Sequence, residues 1–60
     1  MLSIDSSRYS VRGIGGGLVA IRDRRTGESE TVSAGSIPSA AALAAMAESA
    51  FDSAMREALA

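Results

Sequence analysis

The chain is predicted to be an α+β protein: a three-stranded antiparallel β-meander followed by one long C-terminal α-helix, in the order β-β-β-α. Three observations predict it. The runs Arg8 to Gly13, Leu18 to Arg24 and Ser29 to Ala34 are rich in alternating or β-branched residues and are bounded by turn chemistry. "RRTGE", Arg24 to Glu28, fits a type I turn with Gly27 in the left-handed position, the three-residue hairpin loop that ends in a bulge. From Ile37 to Leu59 apolar residues recur at helical spacing among good helix formers.

The elements follow in chain order within one small domain, residues 1–60. Residues 1–7 are an N-terminal arm, 8–34 the sheet and 37–59 the helix. Gly15, Gly16 and Gly17 form the first loop, which pairs Ile14 with Leu18, Arg12 with Ala20, Val11 with Ile21 and Tyr9 with Asp23. An odd-length loop keeps Tyr9, Val11, Val19 and Ile21 on one face, whereas an even one reverses the parity and turns the first strand's arginines inward. The second turn places Arg24 opposite Glu28, Arg22 opposite Glu30, Ala20 opposite Val32 and Leu18 opposite Ala34. Two cross-strand ion pairs support that register, each worth about 0.2–1 kcal/mol. Arg8, Arg12, Arg22, Arg24, Glu28 and Glu30 then share a wet face.

Ser36 is the expected N-cap of the helix, and Pro38 is tolerated in its first turn. Its apolar arc is wider than one small sheet demands. Ala44, Phe51, Met55 and Leu59 make one seam, placed against the sheet. Leu43, Ala47, Ala50 and Ala54 make a second, where small side chains admit the helix of another copy. A chain of 60 residues with no Cys and no His has neither disulfide nor an ordinary zinc site to staple it. Twelve of its residues are Ala, which bury little surface. Self-association is the expected remedy, and the protein is expected to be a homo-oligomer.

The glycines raise the question of a phosphate cradle. A dinucleotide fingerprint needs its last glycine and a following helix, yet Gly13 to Leu18 lacks that glycine and leads into a strand. A P-loop needs a lysine, and the chain has none. The loop is read as a turn that binds no nucleotide. With no His, Cys or Lys, the catalytic vocabulary is reduced to carboxylates, serines, Tyr9 and arginines. Glu48 and Asp52 fit a solvated helix face with Asp52 paired to Arg56 four residues on. No enzyme activity, cofactor or metal is expected.

The net charge of −1 is divided, with five of the six arginines in residues 1–27 and five of the seven carboxylates in residues 28–60. Neither a signal peptide nor a membrane-spanning stretch is evident, and the reading is a cytoplasmic protein. Its partner is expected to be another protein, met through the helix or through Gly15, Gly16, Gly17, Arg12, Arg22, Arg24, Glu48 and Asp52. In size and in its lack of chemistry the chain is similar to the small inhibitors that phages encode, including anti-CRISPR proteins. That similarity is one of format and implies no site residues. The alternative is a small DNA-associated regulator that holds phosphate with the arginine-bearing sheet face, against which stand Glu28 and Glu30 on the same face.

Overall fold

The computed structural model describes residues 2–60. It is an α+β fold in which an antiparallel sheet is followed by helices. Four strands form the sheet in sequential order: β1 (Ser3–Asp5), β2 (Tyr9–Gly15), β3 (Leu18–Asp23) and β4 (Ser29–Ser33). A 3-10 turn, Ala34–Ser36, leads to α1 (Ala40–Ala45) and α2 (Glu48–Leu59). The expected meander of three strands therefore gains one from the supposed arm, and the expected single helix is two.

β1 exists because "LSIDS" alternates. Ile4 lies opposite Val11 on the helix-covered side, while Ser3 and Asp5 face Arg12 and Ser10 on the other. β2 and β3 pair as expected at Tyr9 with Asp23, Val11 with Ile21 and Arg12 with Ala20. The end of the hairpin differs. The register shifts between Gly13 and Gly15, and Gly15 rather than Ile14 lies opposite Leu18. Gly16 and Gly17, at φ 64° and 74°, make a two-residue turn of the kind that requires positive φ at both positions. One bulged residue plus an even turn gives the same parity as an odd loop, so Arg12 keeps its face.

The second hairpin corrects the expected register by one residue. Arg22 lies opposite Ser29, Ile21 opposite Glu30, Ala20 opposite Thr31, Val19 opposite Val32 and Leu18 opposite Ser33. The turn is longer by one residue, closed by Asp23 N–H to the Glu28 carbonyl at 2.8 Å and Gly27 N–H to the Asp23 carbonyl at 2.7 Å. Gly27 is left-handed at φ 82°, as expected. The physical reason lies beneath the sheet: this register turns Val32 toward the core beside Val19, and the alternative would leave it in water. Burying most of a valine outweighs two solvated ion pairs. Neither Arg22–Glu30 nor Arg24–Glu28 forms.

The helical region breaks twice. Ser33, not Ser36, caps the 3-10 turn, its Oγ accepting from Gly35 N–H at 3.3 Å. Ser39 caps α1 by accepting from Ala42 N–H at 3.2 Å. Met46 is extended at φ −77°, ψ 145°, and Ala47 starts α2 without a side-chain cap. The break folds Leu43 and Met46 inward from one side while Phe51 and Met55 enter from another. Tyr9, Val11, Val19, Ile21, Leu43, Phe51 and Met55 form the buried core. Ala44, expected on the sheet-facing seam, is exposed. The accessible surface is 3670 Å², close to the ~3,650 Å² that scaling with mass gives a folded monomer of 6.1 kDa.

Candidate functional site

The corrected register decides what the uncovered face of the sheet carries. Ser10 and Arg12 of β2 stand beside Ala20 and Arg22 of β3 and Ser29 and Thr31 of β4. Ser3 and Asp5 complete the face on β1. Glu28 and Glu30 lie across from Asp23 and Ile21, so they belong to the opposite side. A depression of about 340 Å³ on the uncovered face is lined by Asp5, Ser10, Arg12, Arg22 and Arg24. Three guanidiniums meet one carboxylate there.

Each arginine is held differently. Arg12 donates to Ser3 Oγ and lies 3.7 Å from Asp5. Arg24 donates to the Ser6 carbonyl at 2.9 Å and lines the depression. The Arg22 guanidinium makes no hydrogen bond or ion pair among the described residues. Arg8, expected beside them, is drawn elsewhere: its guanidinium lies 3.7 Å from Asp23 and 5.4 Å from the Tyr9 ring centroid.

At the β2–β3 end of the face two large apolar side chains stand in water, Ile14 at 54% and Leu18 at 42% exposure. The glycines between them have open space where a Cβ would project. Their requirement is positive φ, not close packing. The face thus grades from aliphatic at the glycine turn to cationic at Arg22 and Arg24.

Glu48 and Asp52 act within the fold. Glu48 accepts from Ser7 Oγ at 2.7 Å, and Asp52 accepts from Ser6 Oγ at 2.8 Å. Ser6 Oγ also accepts from Tyr9 N–H at 2.9 Å and Arg8 N–H at 3.2 Å. This cluster fastens the β1–β2 turn to α2. The expected pairing of Asp52 with Arg56 does not form, and Arg56 reaches Ser53 Oγ at 3.2 Å instead. Ser6→Ala, which orphans part-buried backbone N–H groups, is expected to cost about 1–3 kcal/mol in chemical unfolding.

Of the proposed self-association seam, Leu43 is buried in the core and Ala54 packs against it, whereas Ala47 and Ala50 are exposed. The break at Met46 separates Leu43 from the other three. On the helix-bearing side, Asp23, Glu28, Ser29, Glu30 and Leu59 rim a depression of about 490 Å³. No three His, Cys, Asp or Glu side chains among the described residues are grouped as metal ligands.

The Asp23 carboxyl is held below its ordinary pKa, first by the Arg25 N–H that donates to it at 2.9 Å; burial opposes this next, and the Arg8 guanidinium and the Thr26 N–H lower it further. A lowered folded value means its contribution is full above the ordinary carboxylate range and is lost as the pH falls through the lowered value. Thermal melts from pH 7 down to about 3 should show the decline, and Asp23→Asn should flatten that limb.

No helix among the described residues is long and apolar enough to cross a membrane. No protein-family model, curated protein or solved structure matches the chain.

Proposed function

We propose that the protein is a small non-enzymatic protein-binding module, working as an inhibitor does by occupying a surface of a larger protein, and that it docks through the uncovered face of its sheet. The observation that carries this reading is the register of β4, which leaves Arg12, Arg22 and Arg24 on the face that Leu18 shares, with exposed Ile14 in the adjoining bulge and Glu28 and Glu30 removed. Arginine is enriched at protein interfaces, and Leu18 and Ile14 add apolar area that a partner would cover. The sheet's edges are poorer candidates. β1 is three residues long, and β4 carries Glu30 on its inner side, a charge that discourages strand addition.

Immobilised wild type, Leu18→Asp, Arg22→Glu and Ser49→Arg, exposed to lysate of the source organism, test the reading. A protein retained by wild type and by Ser49→Arg, and lost by both sheet-face variants, is the expected result. Retention by all four would reject the sheet face.

The second reading, binding of nucleic-acid phosphate, gains from the same register, because the two glutamates that opposed it have left the face. It predicts affinity that falls steeply with salt. Self-association is proposed separately, through the exposed Ala47 and Ala50. Sedimentation tests it: Ala50→Arg is expected to weaken association and Ser49→Arg to leave it, while a monomeric wild type would dismiss it.

A further inference from the structure

We infer that the depression between Arg12, Arg22 and Arg24 receives the carboxylates of an acidic protein segment whose aliphatic residues rest on Ile14 and Leu18. This rests on the sheet face being the docking surface, and it assigns the chemistry of what docks there.

The inference starts from charge. The depression and its rim hold three guanidiniums and a single carboxylate, Asp5, already 3.7 Å from Arg12. Arg22 is left without a partner among the described residues, and Arg24 is fixed only by a neutral carbonyl. Guanidinium forks match carboxylates two oxygens at a time, and Ser10 adds a hydroxyl on the same wall.

Phosphate esters offer the same oxyanion chemistry, so the rest of the face must choose between them. Along β3 the outward residues run Leu18, Ala20, Arg22, with Arg24 following in the turn, an order that passes from aliphatic to cationic. A sugar-phosphate backbone has nothing to place on Leu18 and Ile14. Bases could cover them, yet the chain's only aromatic residues, Tyr9 and Phe51, are both buried, and the face has no ring on which a base would stack. The charges off this face are predominantly carboxylates, Asp23, Glu28, Glu30, Glu48, Asp52 and Glu57, which repel an extended polyanion but not a short acidic segment. An acidic stretch with leucine-like neighbours satisfies both ends of the face.

The test titrates the full chain, labelled with nitrogen-15, with four probes at low salt. They are a short synthetic peptide with leucines at one end and glutamates at the other, the same peptide with glutamine for glutamate, a short duplex DNA, and inorganic phosphate. The acidic peptide is expected to shift the amides of Ser10, Ala20, Arg22 and Arg24. It should bind at least about tenfold more tightly than the glutamine peptide or the duplex, and Arg22→Glu should weaken it by roughly thirtyfold or more. Equal binding of both peptides would overturn the carboxylate assignment while leaving the sheet face as the docking surface. Tighter binding of duplex or phosphate would overturn it in favour of a phosphate ligand. Shifts confined to the helices, or no binding by any probe, would overturn the inference, and the former would remove the sheet-face reading as well.

Discussion

Ile21→Asp is expected to leave the chain unfolded at room temperature, with loss of the far-ultraviolet signal of sheet and helix together. Ile21 has no exposed surface and lies across from Val11 at the centre of the sheet. Removing a buried isoleucine side chain costs about 2–5 kcal/mol, and a carboxylate left there without a partner adds several more. A chain of this length has only about 3–9 kcal/mol to lose. Arg22, the next residue along, points to the opposite face, and Arg22→Glu should stay folded within about 0.5 kcal/mol of wild type. Two charges placed one residue apart therefore separate the core side of β3 from its uncovered side.

Phe51→Ala is expected to cost about 3–5 kcal/mol, enough to bring the denaturation midpoint close to zero denaturant. Phe51 is buried on the first full turn of α2 and shares the space under the helix break with Ile4, Leu43 and Met46. It joins β1, α1 and α2, so its loss loosens three elements that have few other large side chains between them. Ser53→Ala, two residues on and exposed, should move stability by no more than about 0.5 kcal/mol.

These residues also mark what was legible in the sequence. Tyr9 and Val11 alternate with polar neighbours, Val19 and Ile21 fall two apart on the facing strand, and Phe51 and Met55 are four apart, so period alone identified most of the core. Gly27 announced its left-handed turn because no other residue there adopts positive φ cheaply. The β4 register was misread for a physical reason. The charge pairs that seemed to fix it are worth tenths of a kcal/mol in water, and the burial of Val32 is worth more. β1 escaped notice because three residues make a strand only when a neighbouring strand is already in place. Nothing local marks the break at Met46, where neither Gly nor Pro occurs; on its two sides Leu43 and Phe51 are both buried in the core.

The candidate face was half legible in the same sense. Period places Arg12, Arg22 and Arg24 together on one face, as in the structure, but it also places Glu28 and Glu30 among them, where the register does not. Glu48 and Asp52 were assigned to a solvated helix face because their partners, Ser7 and Ser6, lie 41 and 46 residues away. Period and spacing carry no information over that distance.

The central claim is that β4 sits one residue from the register its charges suggest, and that this gives the arginines a face free of glutamate. Nuclear Overhauser contacts between Hα protons across β3 and β4 test it most directly, since the non-hydrogen-bonded pairs of an antiparallel ladder bring those protons closest. The account predicts strong contacts between Ala20 and Thr31 and between Arg22 and Ser29. Contacts between Ala20 and Val32, or between Arg22 and Glu30, would contradict it and return the glutamates to the arginine face.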